Sequence, residues 1–134
     1  MIPTFNDDGY LPPGIHVALL DEIDERFGQS SEIRRAQMES LRWLVEAAKR
    51  AGVLRMVING SFVTDSLEPN DVDCALLVGE QSPETAEIEA ELMAVFPFVE
   101  FQIVRNEGFQ FLVEELFASD RVECPKGVVE VRLC

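Results

Sequence analysis

The stretch LRMVINGSFVTDSLEPNDVDCALLV, residues 54–78, decides how the rest of the chain is read. Two apolar runs, Val53 to Ile58 and Asp71 to Val78, have the length and composition of neighbouring strands. Arg55 alone interrupts the first, as expected of an inner strand with both faces covered. Gly60-Ser61 closes that strand, and after a spacer of nine residues Asp71-Val72-Asp73 opens the next. Residues two apart on a strand leave the same face, so Asp71 and Asp73 project together while Val72 and Cys74 enter the core.

That placement has chemical consequences. Two carboxylates side by side repel unless a cation lies between them, and hard oxygen donors without a histidine or thiol ligand favour Mg2+ or Mn2+. Such a cation bridges to a triphosphate. Gly60 permits close backbone approach, and the Ser61 hydroxyl with the amides that follow suits phosphate oxygens, above all where Phe62 and Val63 begin a helical turn. As a nucleophile Ser61 lacks a histidine base placed by the sequence to activate it.

Upstream, Ser30 or Ser31 caps a long helix with Glu32 in its first turn and Gly52 at its end. Ile33, Met38, Leu41, Leu44, Val45 and Ala48 line its apolar side, and Lys49 and Arg50 suit its negative end. An earlier helix is expected from Val17 to Phe27, through Leu19, Leu20 and Ile23, and Gly28 ends it. Residues 1–16 carry Pro3, Gly9, Pro12, Pro13 and Gly14, too many breakers for a helix or inner strand. They read as an extended arm held down by Phe5, Tyr10, Leu11 and Ile15. His16, the one histidine, reads as a packing or capping residue.

Downstream, Ser82-Pro83-Glu84 starts a helix whose buried stripe is Ala86, Ile88, Leu92, Val95 and Phe96, and Pro97 closes it. Phe98 to Val104 alternates, with Val99, Phe101 and Ile103 on one face and Glu100 and Gln102 on the other. A short helix is expected over 108–119, then a loop from Asp120 to Gly127. Val128 to Leu133 is expected as a late edge strand. The phenylalanines at 96, 98, 101, 109, 111 and 117 read as core.

Glu100 is the candidate for a third carboxylate, because a neighbouring strand brings it to Asp71 and Asp73. In a two-metal arrangement one cation, held by all three, lowers the pKa of an acceptor hydroxyl, while the other clamps the phosphates. Catalysis is then mainly positioning and charge neutralisation. Arg105, just past the Glu100 strand, is the better phosphate candidate; Lys126 and Arg121, in a loop, are either further candidates to meet triphosphate oxygens or, the commoner case for a loop cation, simply solvated.

The whole chain sets outer limits. Its 134 residues suit one domain with a single core, 1–134, with no repeat or linker. Eleven basic against 25 acidic residues give a net charge of −14, which disfavours direct nucleic-acid binding and fits a cation-dependent site or a basic protein partner. Cys74, Cys124 and Cys134 make an odd set without ligand-like spacing, read as reduced thiols without zinc. No signal peptide or membrane span is legible, and a cytosolic protein with no membrane association is expected.

Gly60-Ser61, the spacer and Asp71-Val72-Asp73, following a helix and a strand, resemble the signature of the DNA polymerase β-type nucleotidyltransferase superfamily, particularly its minimal single-domain bacterial members. The ends, residues 9–16 and Asp120-Arg121 with Pro125-Lys126-Gly127-Val128-Val129, resemble an uncharacterised bacterial group within it. The superfamily motif covers residues 54–78; the group resemblance extends over nearly the whole chain. The resemblance implies an α/β (α+β) fold with a small mixed sheet flanked by helices. It implies magnesium, a nucleoside triphosphate donor and transfer of a nucleoside monophosphate to a hydroxyl of a protein or small molecule. Some minimal members are antitoxins that modify a partner toxin. The third carboxylate is usually aspartate, and here the matching strand offers Glu100. The alternative expectation is a module that keeps the fold but acts by binding a protein partner.

Overall fold

Ser31 is the residue that starts the long helix. Its extended backbone and its Oγ, accepting from the Arg34 N–H at 3.2 Å, open α2, Glu32–Ala51, and Gly52 closes it in the left-handed region at φ 80°. The computed structural model describes residues 2–79, 90, 92, 98–111 and 126–133. Within them the chain runs β1 (Gly14–Ala18), α1 (Leu20–Phe27), α2, β2 (Arg55–Asn59), a single 3-10 turn at Ser61–Val63, β3 (Val72–Leu77), β4 (Val99–Val104), α3 (Asn106–Phe111) and β5 (Gly127–Val131). The five strands form one mixed sheet in the order β1-β5-β2-β3-β4, so the architecture is α+β. The outer pairs, β1 with β5 and β3 with β4, are parallel; β2 is antiparallel to both its neighbours.

Alternation along the strands divides the core. Met56, Ile58, Val72, Cys74, Leu76, Val129 and Val131 face α1 and α2, where Ile23, Phe27, Met38, Leu41 and Leu44 are fully buried against them. Val57, Ala75, Leu77 and Val128 face the other way and pack with Phe109 of α3. Arg55 lies on this second face. It forks onto Glu130 at 2.9 and 2.6 Å and stands 5.0 Å from the Phe109 ring, which explains how a cation interrupts an inner strand. The odd-numbered residues of β3 therefore leave the sheet away from α2, Asp73 among them.

Two local expectations are corrected. Gly14–Ala18 is a strand rather than the end of an arm and the start of a helix. Leu19 is extended (φ −74°, ψ 151°) and its N–H donates to Glu22 at 3.2 Å, which sets the helix start at Leu20. Placing β1 on the outside of β5 then makes β5 an inner strand instead of an edge. The helix expected from Ser82 to Phe96 lies outside the described residues save Ala90 and Leu92. Of the helix expected over 108–119, only the part up to Phe111 is described. Among the described residues no helix is long and apolar enough to cross a membrane.

The segment between β2 and β3 is fixed from two sides. Arg34 of α2, only 4% exposed, donates to the carbonyls of Phe27 (3.1 Å), Phe62 (2.7 Å), Thr64 (2.9 Å) and Ser66 (2.7 Å). Gln37 adds a bond to the Pro69 carbonyl at 2.7 Å. From the N-terminal side, the Gly9 carbonyl accepts from Asp65 at 3.0 Å and Tyr10 bridges Thr64. The arm continues to β5, where the Gly127 N–H donates to Leu11 at 2.9 Å, and His16 Nε2 donates to the Pro12 carbonyl at 2.6 Å. His16 thus has the packing role its sequence context implied.

Candidate active site

Sheet register assembles the site. Asn59 at the end of β2 is paired with Asp73 of β3, and Asp73 is paired with Glu100 of β4. Paired residues on neighbouring strands share a face, about 4.8 Å apart, so these three side chains form a row across the sheet. Asp71 immediately precedes β3. Gly60 and Ser61 follow β2, and Lys126 precedes β5, so all of these residues gather at one end of the sheet. A cleft of about 460 Å³ opens beside the row, lined by Asp73, Cys74, Glu100, Phe101 and Gln102.

Gly60 is required twice over. It sits at φ +88°, where a side chain is strained, and a Cβ there would lie 2.6 Å from Asp73 Oδ2 and 3.4 Å from the Asp71 carbonyl. The Asp73 carboxylate leans over the bare backbone of this turn. The Ser61 Oγ accepts from the Asn70 N–H at 3.1 Å, tying the 3-10 turn to the residues that enter β3. Its own hydrogen is still a donor for an incoming oxygen. Gly60→Ala is therefore expected to lower stability by about 1–3 kcal/mol, from left-handed strain and a displaced Asp73. Urea unfolding checks the stability, and an Mn2+ titration should register weaker binding in the folded variant.

Electrostatics follow from that crowding. Burial, the Glu100 charge and the Asp71 charge, in that order, push the Asp73 carboxyl above its ordinary value, and Lys126 offsets part of the rise. Lys126 is thus close enough to act on Asp73. Cys74 points into the other face, where burial and then the Asp73 charge push its thiol up, so it has no reactive thiolate at neutral pH.

Arg105 is not part of this cluster. Because β3 and β4 are parallel, Arg105 stands at the far end of both, roughly 16 Å along the strand from Glu100. Its guanidinium donates to the Gly79 carbonyl, joining the two strands where they finish.

The donor set suits a divalent cation. Among the described residues no three His, Cys, Asp or Glu side chains converge as a finished metal cage. Magnesium does not need one: it keeps several waters and takes one or two carboxylates with substrate phosphates. A second observation points the same way. Among the described residues, the Asn59 Oδ1, on a residue 6% exposed and opposite Asp73, is buried with no hydrogen-bond partner. A buried acceptor in that state costs free energy until a donor reaches it, and a water on a cation held by Asp73 is such a donor. Asp73 and Glu100, with Asp71 beside them, are the residues that would hold the cation.

Sequence reasoning passed over Asn59 and Arg34. The only signal for Asn59 was a polar residue ending an apolar strand just before Gly60-Ser61. Arg34 carried none, since an arginine in an amphipathic helix ordinarily lies in solvent.

No curated protein and no solved structure matches the chain. A family model matches residues 3–132, and by that match the chain belongs to the family of unknown function DUF6932.

Proposed function

We propose that the protein is a magnesium-dependent nucleotidyltransferase, with the fold of the DNA polymerase β-type superfamily, that moves a nucleoside monophosphate from a nucleoside triphosphate to a hydroxyl. The observation that carries this reading is the register that sets Glu100 opposite Asp73, at the same end of the sheet as Gly60, Ser61 and Lys126. Asp71, Asp73 and Glu100 would hold the cation, which neutralises phosphate charge and makes the acceptor hydroxyl more acidic when bound.

The chain's own residues divide the remaining work. Ser61 donates to a phosphate oxygen from a turn fixed by Arg34 and Asn70, and the Lys126 ammonium meets the triphosphate charge from the β5 side. Glu100, exposed on β4, takes the proton of the acceptor hydroxyl. The freed oxygen attacks the α-phosphorus, and the bond to the departing pyrophosphate breaks. Glutamate in place of the usual aspartate adds one methylene, which suits a carboxylate reaching out from the strand beside Asp73. Arg105 has no part in this scheme.

The test is a labelling assay with magnesium, α-labelled triphosphates and hydroxyl acceptors, followed by pyrophosphate release. Glu100→Gln is expected to lower transfer roughly 10²–10³-fold while leaving triphosphate binding largely intact. Transfer unaffected by both Asp71→Asn and Glu100→Gln would show that the carboxylates do not do this chemistry.

A further inference from the structure

The transfer reading leaves the acceptor open, and the backbone of β4 bears on it. The carbonyls of Phe98 and Val104 accept from the two ends of the β3 segment, from Val72 at 2.8 Å and from Val78, just past β3, at 3.0 Å. Along a strand in a parallel pair, successive residues turn their N–H and C=O groups to alternate sides. The even-numbered residues of β4 therefore face β3, and Val99, Phe101 and Ile103 turn theirs outward. Among the described residues β4 pairs with β3 alone and is the last strand of the sheet. Glu100 and Gln102, exposed on the site face, flank the outward-facing Phe101 backbone.

An extended peptide added along this edge continues the sheet. Its residue opposite Glu100 shares the face of the row Asn59, Asp73, Glu100, with Cβ atoms roughly 4.5–5.5 Å apart. A serine or threonine there brings its hydroxyl to the Glu100 carboxylate without any separate acceptor domain. Charge restricts the occupant further. The chain carries 25 acidic against 11 basic residues, and Asp71, Asp73, Glu100 and Glu107 lie on or next to the strands concerned. A second copy of this chain brings the same negative charge and is repelled, whereas a basic peptide is attracted.

Resting on the transfer reading above, we propose that the outer edge of β4 docks an extended, basic, hydroxyl-bearing polypeptide by strand addition, and that the residue beside Glu100 is the acceptor. The reaction forms a bond between the peptide oxygen and the α-phosphorus, breaks the bond to pyrophosphate, and leaves the hydroxyl proton on Glu100.

The experiment uses the full chain with short unstructured peptides, rich in Lys and Arg and carrying one Ser or Thr, and acidic counterparts as controls. Amide hydrogen exchange at Val99, Phe101 and Ile103 is followed with and without peptide, alongside label transfer from the triphosphate. Basic peptides are expected to slow exchange at those three amides and to become labelled, while acidic ones do neither. Ile103→Pro, which removes an outward N–H and no bond to β3, should weaken peptide binding by about tenfold or more with Mn2+ binding unchanged. Protection without labelling upholds the docking and removes the transfer reading. Labelling without protection, or no protection by any peptide, overturns the docking.

Discussion

Asp73→Asn is expected to make the metal-free protein more stable while abolishing the proposed cation binding and lowering the proposed transfer roughly 10³-fold or more. The two effects share a cause. Asp73 is half-buried between Glu100 and Asp71, and burial followed by those two charges raises its carboxyl above the ordinary value. An acid whose pKa is raised by folding keeps its proton in the native state at pH values where the unfolded chain has released it. Stability therefore falls as pH climbs from the ordinary aspartate range through the raised value, and the full cost is present above it. Asparagine removes that cost, so the variant should unfold at a higher temperature than the metal-free wild type at neutral pH. Asp24, whose carboxyl is lowered chiefly by hydrogen bonds from Arg42 and Gln29 against an opposing burial effect, has the opposite pH dependence. The informative quantity is accordingly the difference between wild type and variant. That difference should grow from mildly acidic to neutral pH and shrink when Mg2+ is added to the wild type. A variant less stable than wild type at neutral pH would contradict it.

Arg34→Met is expected to cost about 3–5 kcal/mol in urea unfolding, a large share of the stability of a chain this size. The guanidinium answers four carbonyls, three of them on the segment that leaves the Gly60 turn. Methionine fills much of the volume but leaves those oxygens without a donor at partly or fully buried positions. Burial lowers the pKa of Arg34 and the nearby Asp65 charge opposes that; a guanidinium keeps its proton in a folded protein, so the side chain acts here as a cation. Arg34→Lys should recover only a minor part of the loss, because a single ammonium cannot span four acceptors that a planar fork reaches together. The loop bearing Ser61 depends on the same bonds. Triphosphate binding is expected to fall in whatever fraction of Arg34→Lys remains folded, a result that a stability effect alone does not produce.

Local pattern made part of this arrangement readable and hid the rest. β2 and β3 were clear because continuous apolar runs bounded by Gly60 and Asp71 have few other readings, and α2 because its apolar spacing, capping serine and terminal Gly52 agree. The face shared by Glu100 and Gln102 followed from strict alternation. What alternation does not contain is pairing. β1 was obscured by Pro12, Pro13 and Gly14, which are compatible with a short outer strand but argue against an inner one. With β1 unrecognised, β5 had no neighbour to place outside it and was expected at the edge. Arg105 is one step past the same strand as Glu100, yet the two stand at opposite ends of β4, and only the Glu100 end meets Asp71, Asp73 and Gly60. Asn59 and Arg34 owe their importance to partners, absent for one among the described residues and far along the chain for the other, and composition carries no trace of either.

The proposal that Asp73 and Glu100 hold a divalent cation is tested most directly by titrating Mn2+ into the protein and following free Mn2+ by electron paramagnetic resonance. Wild type should bind, and bind more tightly when a nucleoside triphosphate is present. Glu100→Gln should bind more weakly, and folded Asp73→Asn not measurably. Equal Mn2+ affinity in all three proteins, or none in wild type with triphosphate, would contradict it.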